Sequence, residues 1–349
     1  MRFDKLYIHS VIRSIEERIS LTRLDLTGFS VLTEAATGAY AVTPVIAAMA
    51  GAREVIAYTK DSGFGKIGDA ANETNRLIAA VDKRLSVDIV SKISAEEYSR
   101  MDIITNSGHL RPITKEQIMS MKPTAVIPLM YESWELRKSD VDLAACRERG
   151  IRFAGTNEHH SLLNVFEFLG PLVVRALHNS FVPVAGSRIA IISNNAFGFP
   201  VAEYLARNQA DVLCVGPKKC FAGARGTVAC GDLPEPRLRS DIDACVVAST
   251  PSVSLRQTYD RSAVTNYLAK LRPATCVHLW GDVDYRTLIR SDIVMVPSEP
   301  VPLGHQGLVM SGIGPEPIIR LIVGGLKVGE VLAKNSSSAF DLEFCQMHM

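Results

Sequence analysis

The strongest constraint on the fold is an alternation of apolar, strand-like runs with helical patterns along almost the whole chain. In the first half, strands are predicted at 30–36, 54–60, 87–92, 102–107, 125–130 and 151–155. A second series is predicted at 188–193, 211–216, 244–249, 275–280 and 293–298. Strands that alternate with helices indicate α/β layers with parallel sheets. The sequence therefore predicts an α/β protein with two Rossmann- or flavodoxin-like domains.

Two helical patterns set the predicted domain limits. The pattern at 161–180 leads from the first series of strands to the second, and the amphipathic pattern at 316–333 has no strand of its own. We expect the latter helix to cross back onto the first domain. The predicted domains are a flavodoxin-like substrate domain, 1–158 completed by 316–335, and a Rossmann-like nucleotide-binding domain, 159–315. This crossover would place residues 300–315 at the interdomain cleft, where α/β proteins usually bind ligands.

Two further stretches are predicted to lie outside the regular layers. The stretch 217–240 is polar and contains Pro and Gly, which is typical of an irregular excursion. The stretch 338–349 is predicted to be a loosely held tail, as is common at chain ends.

Composition excludes several classes of partner. The 349 residues carry 38 basic and 37 acidic side chains, for a formal net charge of +1. This balance provides no basic field for nucleic acid or acidic lipid. The N-terminus lacks the apolar core of a signal peptide, and the apolar runs are shorter than the roughly 20 residues that span a bilayer. Seven scattered cysteines without a CxxC motif indicate buried free thiols, so we expect a cytoplasmic, reducing compartment.

The stretch IAIISNNAFGFPVAEYLA at 189–206 has the outline of a nucleotide-binding turn. An apolar strand runs into a short polar turn, and a helix follows. The usual three glycine positions hold Ser193, Asn195 and Gly198. Ser193 is small, Asn195 tolerates a left-handed backbone, and Gly198 keeps the helix close to the strand. A phosphate could therefore meet the helix N-terminus with less room than usual.

The end of the following strand indicates which dinucleotide would bind. An acidic residue there normally holds the ribose of NAD, but this chain has Lys218 and Lys219 and no carboxylate. Two lysines suit a 2′-phosphate, so NADP is predicted over NAD. The alternative is that both lysines form a solvated loop edge and that no dinucleotide binds. The other predicted cofactor-binding residues are Asn194, Phe197, Thr250, Pro251, His278 and Trp280, although core packing is the favoured interpretation of Trp280.

Two segments resemble the D-isomer-specific 2-hydroxyacid dehydrogenase family. They are DVDLAACRERGIRFAGTNEHHSLLNVFEFLGPLVVRALHN and ITNSGHLRPITKEQIMSMKPTAVIPL, and the similarity runs over about residues 100–320 in order. More distantly, the second segment resembles adenosylhomocysteinase-like Rossmann proteins. The resemblance implies two α/β domains, a nicotinamide cofactor and a homodimer.

The same resemblance implies candidate catalytic residues. His305, in PLGHQG, lies near the position of the family's histidine, and Glu299 could replace its glutamate. His305 would donate or accept the proton beside the hydride path. The family's substrate-binding arginine is absent from the matching segment, LRPATCVHLWGDVDYRTL. The non-catalytic alternative for His305 is a loop histidine that bonds to the backbone.

Polar residues that follow the strands of the first domain are predicted to contact the substrate, because open α/β sheets bind ligands at the carboxyl ends of their strands. They are Thr37, Tyr40, Asn106, Ser107, His109, Tyr131, Glu132, Glu158 and His159. No third ligand is identifiable beside the Glu158–His159 pair, so no metal site is predicted.

Three functions remain open from the sequence. The first is an oxidoreductase that uses NADP, or NAD, on a small polar metabolite. The second is a dehydrogenase-fold enzyme that has lost hydride chemistry and binds an adenosyl-type or other ligand, as a transferase or lyase. The third is a non-catalytic ligand-binding or scaffold subunit. Fold analogy cannot separate them.

Overall fold

A computed structural model provides the structure of the chain. It describes residues 5–81, 85–224, 227–230, 241–250 and 261–347. The predicted cofactor contact Pro251 lies outside these residues. The chain divides into two compact units: unit 1 comprises Met1–Val165 and Gly314–Met349, and unit 2 comprises Phe166–Ile313.

Unit 1 is built on a seven-stranded sheet with the order β13-β6-β5-β4-β1-β2-β3. Its strands are β1 (Ser30–Glu34), β2 (Glu54–Tyr58), β3 (Val87–Val90), β4 (Ile103–Ile104), β5 (Val126–Pro128), β6 (Arg152–Thr156) and β13 (Cys345–Met347). All neighbours pair in parallel except β13, which runs antiparallel to β6. The central strand β1 is buried along its whole length, as expected for a sheet covered on both faces.

The helices of unit 1 include the predicted returning helix. They are α1 (Lys5–Thr22), α2 (Thr43–Met49), α3 (Ile67–Ile78), α4 (Ala95–Arg100), α5 (Lys115–Ser120), α6 (Leu143–Arg149), α11 (Glu316–Lys334) and α12 (Ala339–Leu342). A Cβ on Gly325 would lie 2.5 Å from the Met130 sulfur, and one on Gly329 would lie 2.8 Å from Ile103. These glycines therefore let α11 pack closely on β4 and on the end of β5, which confirms the predicted crossing back.

Unit 2 contains a six-stranded parallel sheet with the order β12-β11-β10-β7-β8-β9. Its strands are β7 (Arg188–Ile192), β8 (Asp211–Gly216), β9 (Thr227–Cys230), β10 (Ala244–Ala248), β11 (Thr275–Trp280) and β12 (Val294–Val296). Its helices are α7 (Leu169–Asn179), α8 (Gly198–Arg207), α9 (Arg261–Leu271) and α10 (Tyr285–Arg290). The predicted two-domain α/β fold is confirmed.

Two local predictions are wrong. The stretch 217–240 contains a short 3-10 helix, Lys218–Phe221, and then β9, which extends the sheet of unit 2. The C-terminal tail contains α12 and β13, and Phe344 between them is fully buried. The free thiols of Cys146, Cys214, Cys220, Cys245 and Cys276 are buried, as predicted. Within the described part of the chain, no helix combines the length and apolar character required to cross a membrane.

Candidate functional site

Unit 1 brings most of the predicted substrate residues to one edge of its sheet. Asn106 and Ser107 follow β4, Tyr131 and Glu132 follow β5, and Glu158 follows β6. Because these strands are parallel, their carboxyl ends meet at the same edge. We call the polar groups at this edge the unit 1 cluster; its members are Glu34, Tyr40, Asn106, Ser107, His109, Arg111, Tyr131, Glu132, Glu135 and Glu158.

Hydroxyl and amide groups form the floor of this cluster. The Ser107 and Thr105 hydroxyl oxygens are 2.6 Å apart, and Thr105 donates a 2.9 Å bond to Thr33. The Asn106 side-chain oxygen accepts a 2.7 Å bond from the backbone N–H of Met130. The Asn106 side-chain nitrogen is buried and has no hydrogen-bond partner among the described residues. A buried donor without a partner carries a free-energy cost, so this nitrogen could serve a ligand.

A buried carboxylate and a half-buried guanidinium lie beside Gly108. Glu34, which ends β1, accepts a 2.8 Å bond from the backbone N–H of His109. A Cβ on Gly108 would lie 3.4 Å from a Glu34 carboxylate oxygen and 3.8 Å from an Arg111 Nη. The Arg111 guanidinium lies 5.5 Å from the centre of the Tyr131 ring, and no described residue forms an ion pair or hydrogen bond with that guanidinium; the Arg111 backbone N–H donates a 3.2 Å bond to the Ser107 carbonyl. Its guanidinium therefore has donors available for a bidentate contact with a carboxylate.

Glu132 is held by side chains from two segments. It accepts a 2.6 Å bond from the indole N–H of Trp134 and a 2.9 Å bond from the Gln346 amide of β13. The His159 Nε2 atom lies 3.9 Å from the same carboxylate, and the His159 side chain is exposed. Glu132 is thus a buried hydrogen-bond acceptor that two separate segments of the chain hold in place.

Two further carboxyls lie close to Glu132 and have raised pKa values. Burial, followed by repulsion from Glu132, raises the pKa of Glu135 to about 8. Burial, with repulsion from Glu135 and Glu132, raises the pKa of Glu158 well above its ordinary value. Shared protonation of this kind is common where carboxyls crowd together, and it is typical of functional sites.

Two tyrosines of the cluster stay neutral. Burial and the neighbouring charge of Glu34 raise the pKa of Tyr40 to about 12. Burial and a 2.7 Å bond to Asp140 raise the pKa of Tyr131 still further. Thr37 lies one turn earlier, where its hydroxyl donates a 3.0 Å bond to the Phe64 carbonyl. Tyr40 and Tyr131 are thus hydrogen-bonding groups rather than bases at neutral pH.

The protons on Glu135 and Glu158 predict how stability depends on pH. The folded chain keeps these protons up to its raised pKa values, whereas unfolded glutamate releases them above a pKa near 4.3. The free energy of unfolding should therefore fall with rising pH, by about 1.4 kcal/mol per pH unit for each proton held. His160 and His278, whose pKa values burial lowers, act in the opposite direction below about pH 6.5. The slope of the free energy of unfolding is therefore measured between pH 6.5 and 8.

Urea unfolding across that window would measure this slope. Trp134 lies in unit 1 and Trp280 in unit 2, and they are the 2 tryptophans of the chain, so Trp280→Phe makes Trp134 a reporter of unit 1. A flat or rising free energy of unfolding between pH 6.5 and 8 would contradict the assigned protons.

In unit 2, the predicted turn is closed by its own side chains. The Ser193 hydroxyl donates a 2.7 Å bond to the Ala248 carbonyl, and the Asn194 side-chain oxygen accepts a 2.8 Å bond from the Thr250 N–H. The Asn195 amide donates a 2.7 Å bond to the Thr250 hydroxyl, and its oxygen accepts a 2.8 Å bond from the Phe197 N–H. The structure thus brings together five predicted cofactor residues, and they bond to one another.

The chemistry of this turn fits a phosphate only if Asn195 moves. The N–H of Phe197 lies at the start of α8, where a phosphate oxygen would accept its bond. The Asn195 oxygen takes that bond instead. The backbone of Asn195 is not left-handed, contrary to the expectation that its backbone would replace that of glycine. Its side chain acts as a cap.

Aromatic packing surrounds the turn. The Phe197 ring lies 4.9 Å from that of Phe166 and 5.8 Å from that of Trp280. A Cβ on Gly198 would lie 2.5 Å from the Phe221 ring, so Gly198 is needed for close packing, as predicted. Lys218 and Lys219 are exposed on the 3-10 helix that follows β8.

The other predicted site residues of unit 2 are not positioned as their predicted roles require. Both ring nitrogens of His278 bond to protein atoms, the Tyr285 hydroxyl at 3.0 Å and the Gly281 carbonyl. This geometry gives no support to its predicted contact with a cofactor. His305 is exposed, and its Nδ1 lies 3.0 Å from the Leu303 carbonyl. This is the arrangement expected of a loop histidine that bonds to the backbone. Glu299 is also exposed.

Several members of the unit 1 cluster escape sequence reasoning. Glu34 lies inside a predicted strand, and Arg111 lies in a loop without a recognisable motif. Gln346 lies in the predicted tail. A signal existed only for Glu135, since YESWE at 131–135 places two acids after a strand. Among the described residues, no group of three or more His, Cys, Asp and Glu is arranged to hold a metal ion.

Comparison with known proteins identifies the fold. No protein-family model and no curated protein matches the sequence. A dipicolinate synthase chain from Bacillus halodurans is similar in structure, with 14% identity, coverage of 90% of this chain and 99% of that chain, and a TM-score of 0.56. The dipicolinate synthase chain from Bacillus subtilis has 11% identity, 90% and 97% coverage, and a TM-score of 0.55. This chain shares its fold with these two dipicolinate synthase chains.

A more remote similarity is to a glyoxylate reductase from Paecilomyes thermophila. It has 11% identity, 91% and 97% coverage, and a TM-score of 0.39, which is too low to carry any inference. The likeness to the two dipicolinate synthase chains is one of fold alone, and it agrees with the predicted α/β architecture.

Proposed function

We propose that the protein is an oxidoreductase that uses a nicotinamide dinucleotide, NADP in preference to NAD, on a small polar metabolite. The observation that carries this proposal is the unit 1 cluster, in which burial and neighbouring carboxyls raise the pKa values of Glu135 and Glu158. Groups with such perturbed pKa values, at the carboxyl edge of a parallel sheet, are typical of acid–base catalysis. The dehydrogenase-type fold is consistent with hydride chemistry and does not by itself establish it.

The residues of the cluster have distinct roles in this proposal. Glu158 gives its carboxyl proton to a substrate atom that gains charge, and Glu135 shares that proton. Arg111 binds a carboxylate of the substrate through its unpaired N–H groups. Asn106 and Tyr40 orient polar groups by hydrogen bonding. A bound nicotinamide would supply or accept the hydride.

The cofactor would bind to unit 2 after the Asn195 side chain turns away from the Phe197 N–H. Ser193 and Gly198 then leave space at the start of α8, and Lys218 and Lys219 bind the 2′-phosphate. The exposed position of both lysines supports this role. A homodimer is part of the proposal, and light scattering of the purified chain tests it.

One observation favours the second candidate, a dehydrogenase-fold enzyme without hydride chemistry. The turn that would hold the pyrophosphate is filled by Asn195 and Thr250. In this alternative, the unit 1 cluster performs acid–base chemistry alone, in a transferase or lyase, and unit 2 binds an adenosyl-type ligand or none.

A thermal-shift panel separates the candidates. NADP, NAD, S-adenosylmethionine and adenosine are tested, each alone. A ligand at a hundredfold its dissociation constant adds roughly 2.7 kcal/mol to the free energy of unfolding, which shifts the melting temperature measurably. We expect NADP to give the largest shift. A shift with S-adenosylmethionine or adenosine, and none with either dinucleotide, would transfer support to the second candidate.

A further inference from the structure

The C-terminal segment is fastened to unit 1 at several points. Strand β13 pairs antiparallel with β6, and the Phe344 ring stacks 3.8 Å from that of His160. Asn157 donates 2.9 Å and 2.8 Å bonds, from its backbone and its side chain, to the carbonyls of Phe344 and Glu343. The buried ammonium of Lys327 lies 2.9 Å from Asp341 of α12. This fastening places β13 at a fixed position at the edge of the sheet.

The fixed position of β13 brings Gln346 to the unit 1 cluster. Its amide nitrogen donates a 2.9 Å bond to Glu132. Its amide oxygen accepts a 2.9 Å bond from the Ser133 N–H and a 3.2 Å bond from the Ser133 hydroxyl. A Cβ on Gly155 would lie 2.5 Å from the Ser133 nitrogen, so the absence of a side chain on β6 allows this close approach. Gln346 is thus oriented at both ends of its amide.

Glu132 is the member of the cluster whose charge acts on both Glu135 and Glu158, and Glu135 also acts on Glu158. Glu135 and Glu158 face it from its own loop and from the end of β6, and Glu132 repels the ionised form of both. The Glu132 N–H donates a 3.4 Å bond to Glu135. Trp134 and His159 also contact Glu132, and the charges of Arg111 and Arg137 act on Glu135. Gln346 is the contact that comes from the C-terminal segment.

We propose that Gln346 is a positioning residue of the unit 1 cluster. It holds Glu132 against Glu135 and Glu158, and so determines how the three carboxyls share their protons. The importance of those protons for catalysis rests on the proposed function. The contacts of Gln346 are independent of that function. The C-terminal strand is then a component of the candidate site. Catalysis would require it, although it lies far from the other site residues in sequence.

The test counts the protons that are released when unit 1 unfolds. The pH dependence of the free energy of unfolding gives this number directly, and Trp134 emission in the Trp280→Phe background reports it between pH 6.5 and 8. Gln346→Glu adds a carboxyl next to Glu132, so we expect release of up to one additional proton. Gln346→Lys places a cation there, so we expect release of up to one proton fewer. No ligand or activity is needed.

A matched control and a milder variant complete the test. Cys345→Ala changes the same strand without touching the carboxyls, and below about pH 7.5, where unfolded cysteine keeps most of its proton, its proton number should equal that of the wild type. Gln346→Met keeps the length of the side chain and removes the amide; it should shift the number in the direction of Gln346→Glu, by less. Unchanged proton numbers in the Gln346 variants that fold would overturn the proposal and leave the proposed function untouched.

Discussion

Replacement of Lys218 and Lys219 together by alanine is expected to weaken NADP binding about 100-fold and to leave NAD binding nearly unchanged. A lysine–phosphate contact is a charge-assisted hydrogen bond, and for these exposed side chains we expect about a tenfold contribution to the dissociation constant from each. NAD has no 2′-phosphate, so it loses neither contact. Calorimetry with each dinucleotide on both proteins measures the two ratios.

The control for this result is a variant with the same loss of charge elsewhere. Lys92 and Lys138 are exposed on unit 1, so Lys92→Ala/Lys138→Ala removes two positive charges and should leave the preference for NADP unchanged. An equal loss in both double variants would mean that net charge, rather than a phosphate site, determines affinity.

Calorimetry with both dinucleotides on Asn195→Gly tests the turn itself. It removes the side-chain oxygen that accepts the Phe197 N–H, so a phosphate no longer has to displace it. One such cap is worth about 1 kcal/mol, so both dinucleotides should bind roughly fivefold more tightly. If neither dinucleotide binds this variant at millimolar concentration, then the turn is a remnant and the second candidate function replaces the first.

Much of the fold could be predicted because its strands are long and buried. For example, β1 and β8 lie within predicted apolar runs, since parallel strands bury both faces and leave a continuous signal. The three residues of β13 are too few to show a period. Its place is set by pairing with β6 and by burial of Phe344, and both are tertiary effects.

The unit 1 cluster was predictable only where its residues follow strands. Asn106, Tyr131 and Glu158 could be placed at one edge, because parallel strands align their carboxyl ends. Arg111 and Gln346 reach that edge from a loop and from an antiparallel strand, which no local pattern encodes. In unit 2, the sequence predicted the position of Asn195 but not the hydrogen bonds of its side chain. One of them is made to Thr250, which is distant in sequence.

Glu158→Gln is expected to lower kcat by about 10²- to 10⁴-fold, the usual contribution of a general acid or base. Glutamine keeps the shape and burial of Glu158 but has no carboxyl proton to give. At pH 8 the variant should be at least as stable as the wild type, because it removes a buried carboxyl that Glu135 and Glu132 repel. Turnover is followed by nicotinamide absorbance with small metabolites that carry a carboxylate, the group that Arg111 is proposed to bind. Glu96→Gln, an exposed change in α4, is the control.

His305→Asn decides between the two candidate proton donors. If Glu158 and Glu135 supply the proton, the wild-type kcat should fall as pH rises through about 8, where Glu135 ionises, and His305→Asn should keep most of its activity. If His305 transfers the proton, as the family resemblance implies, His305→Asn should show the 10²- to 10⁴-fold loss while Glu158→Gln stays active. The bond between His305 and its own loop carbonyl favours the first result, because that ring nitrogen is already engaged at 3.0 Å. A full loss in His305→Asn together with an active Glu158→Gln would remove the unit 1 carboxyls from the proton transfer and restore the histidine mechanism.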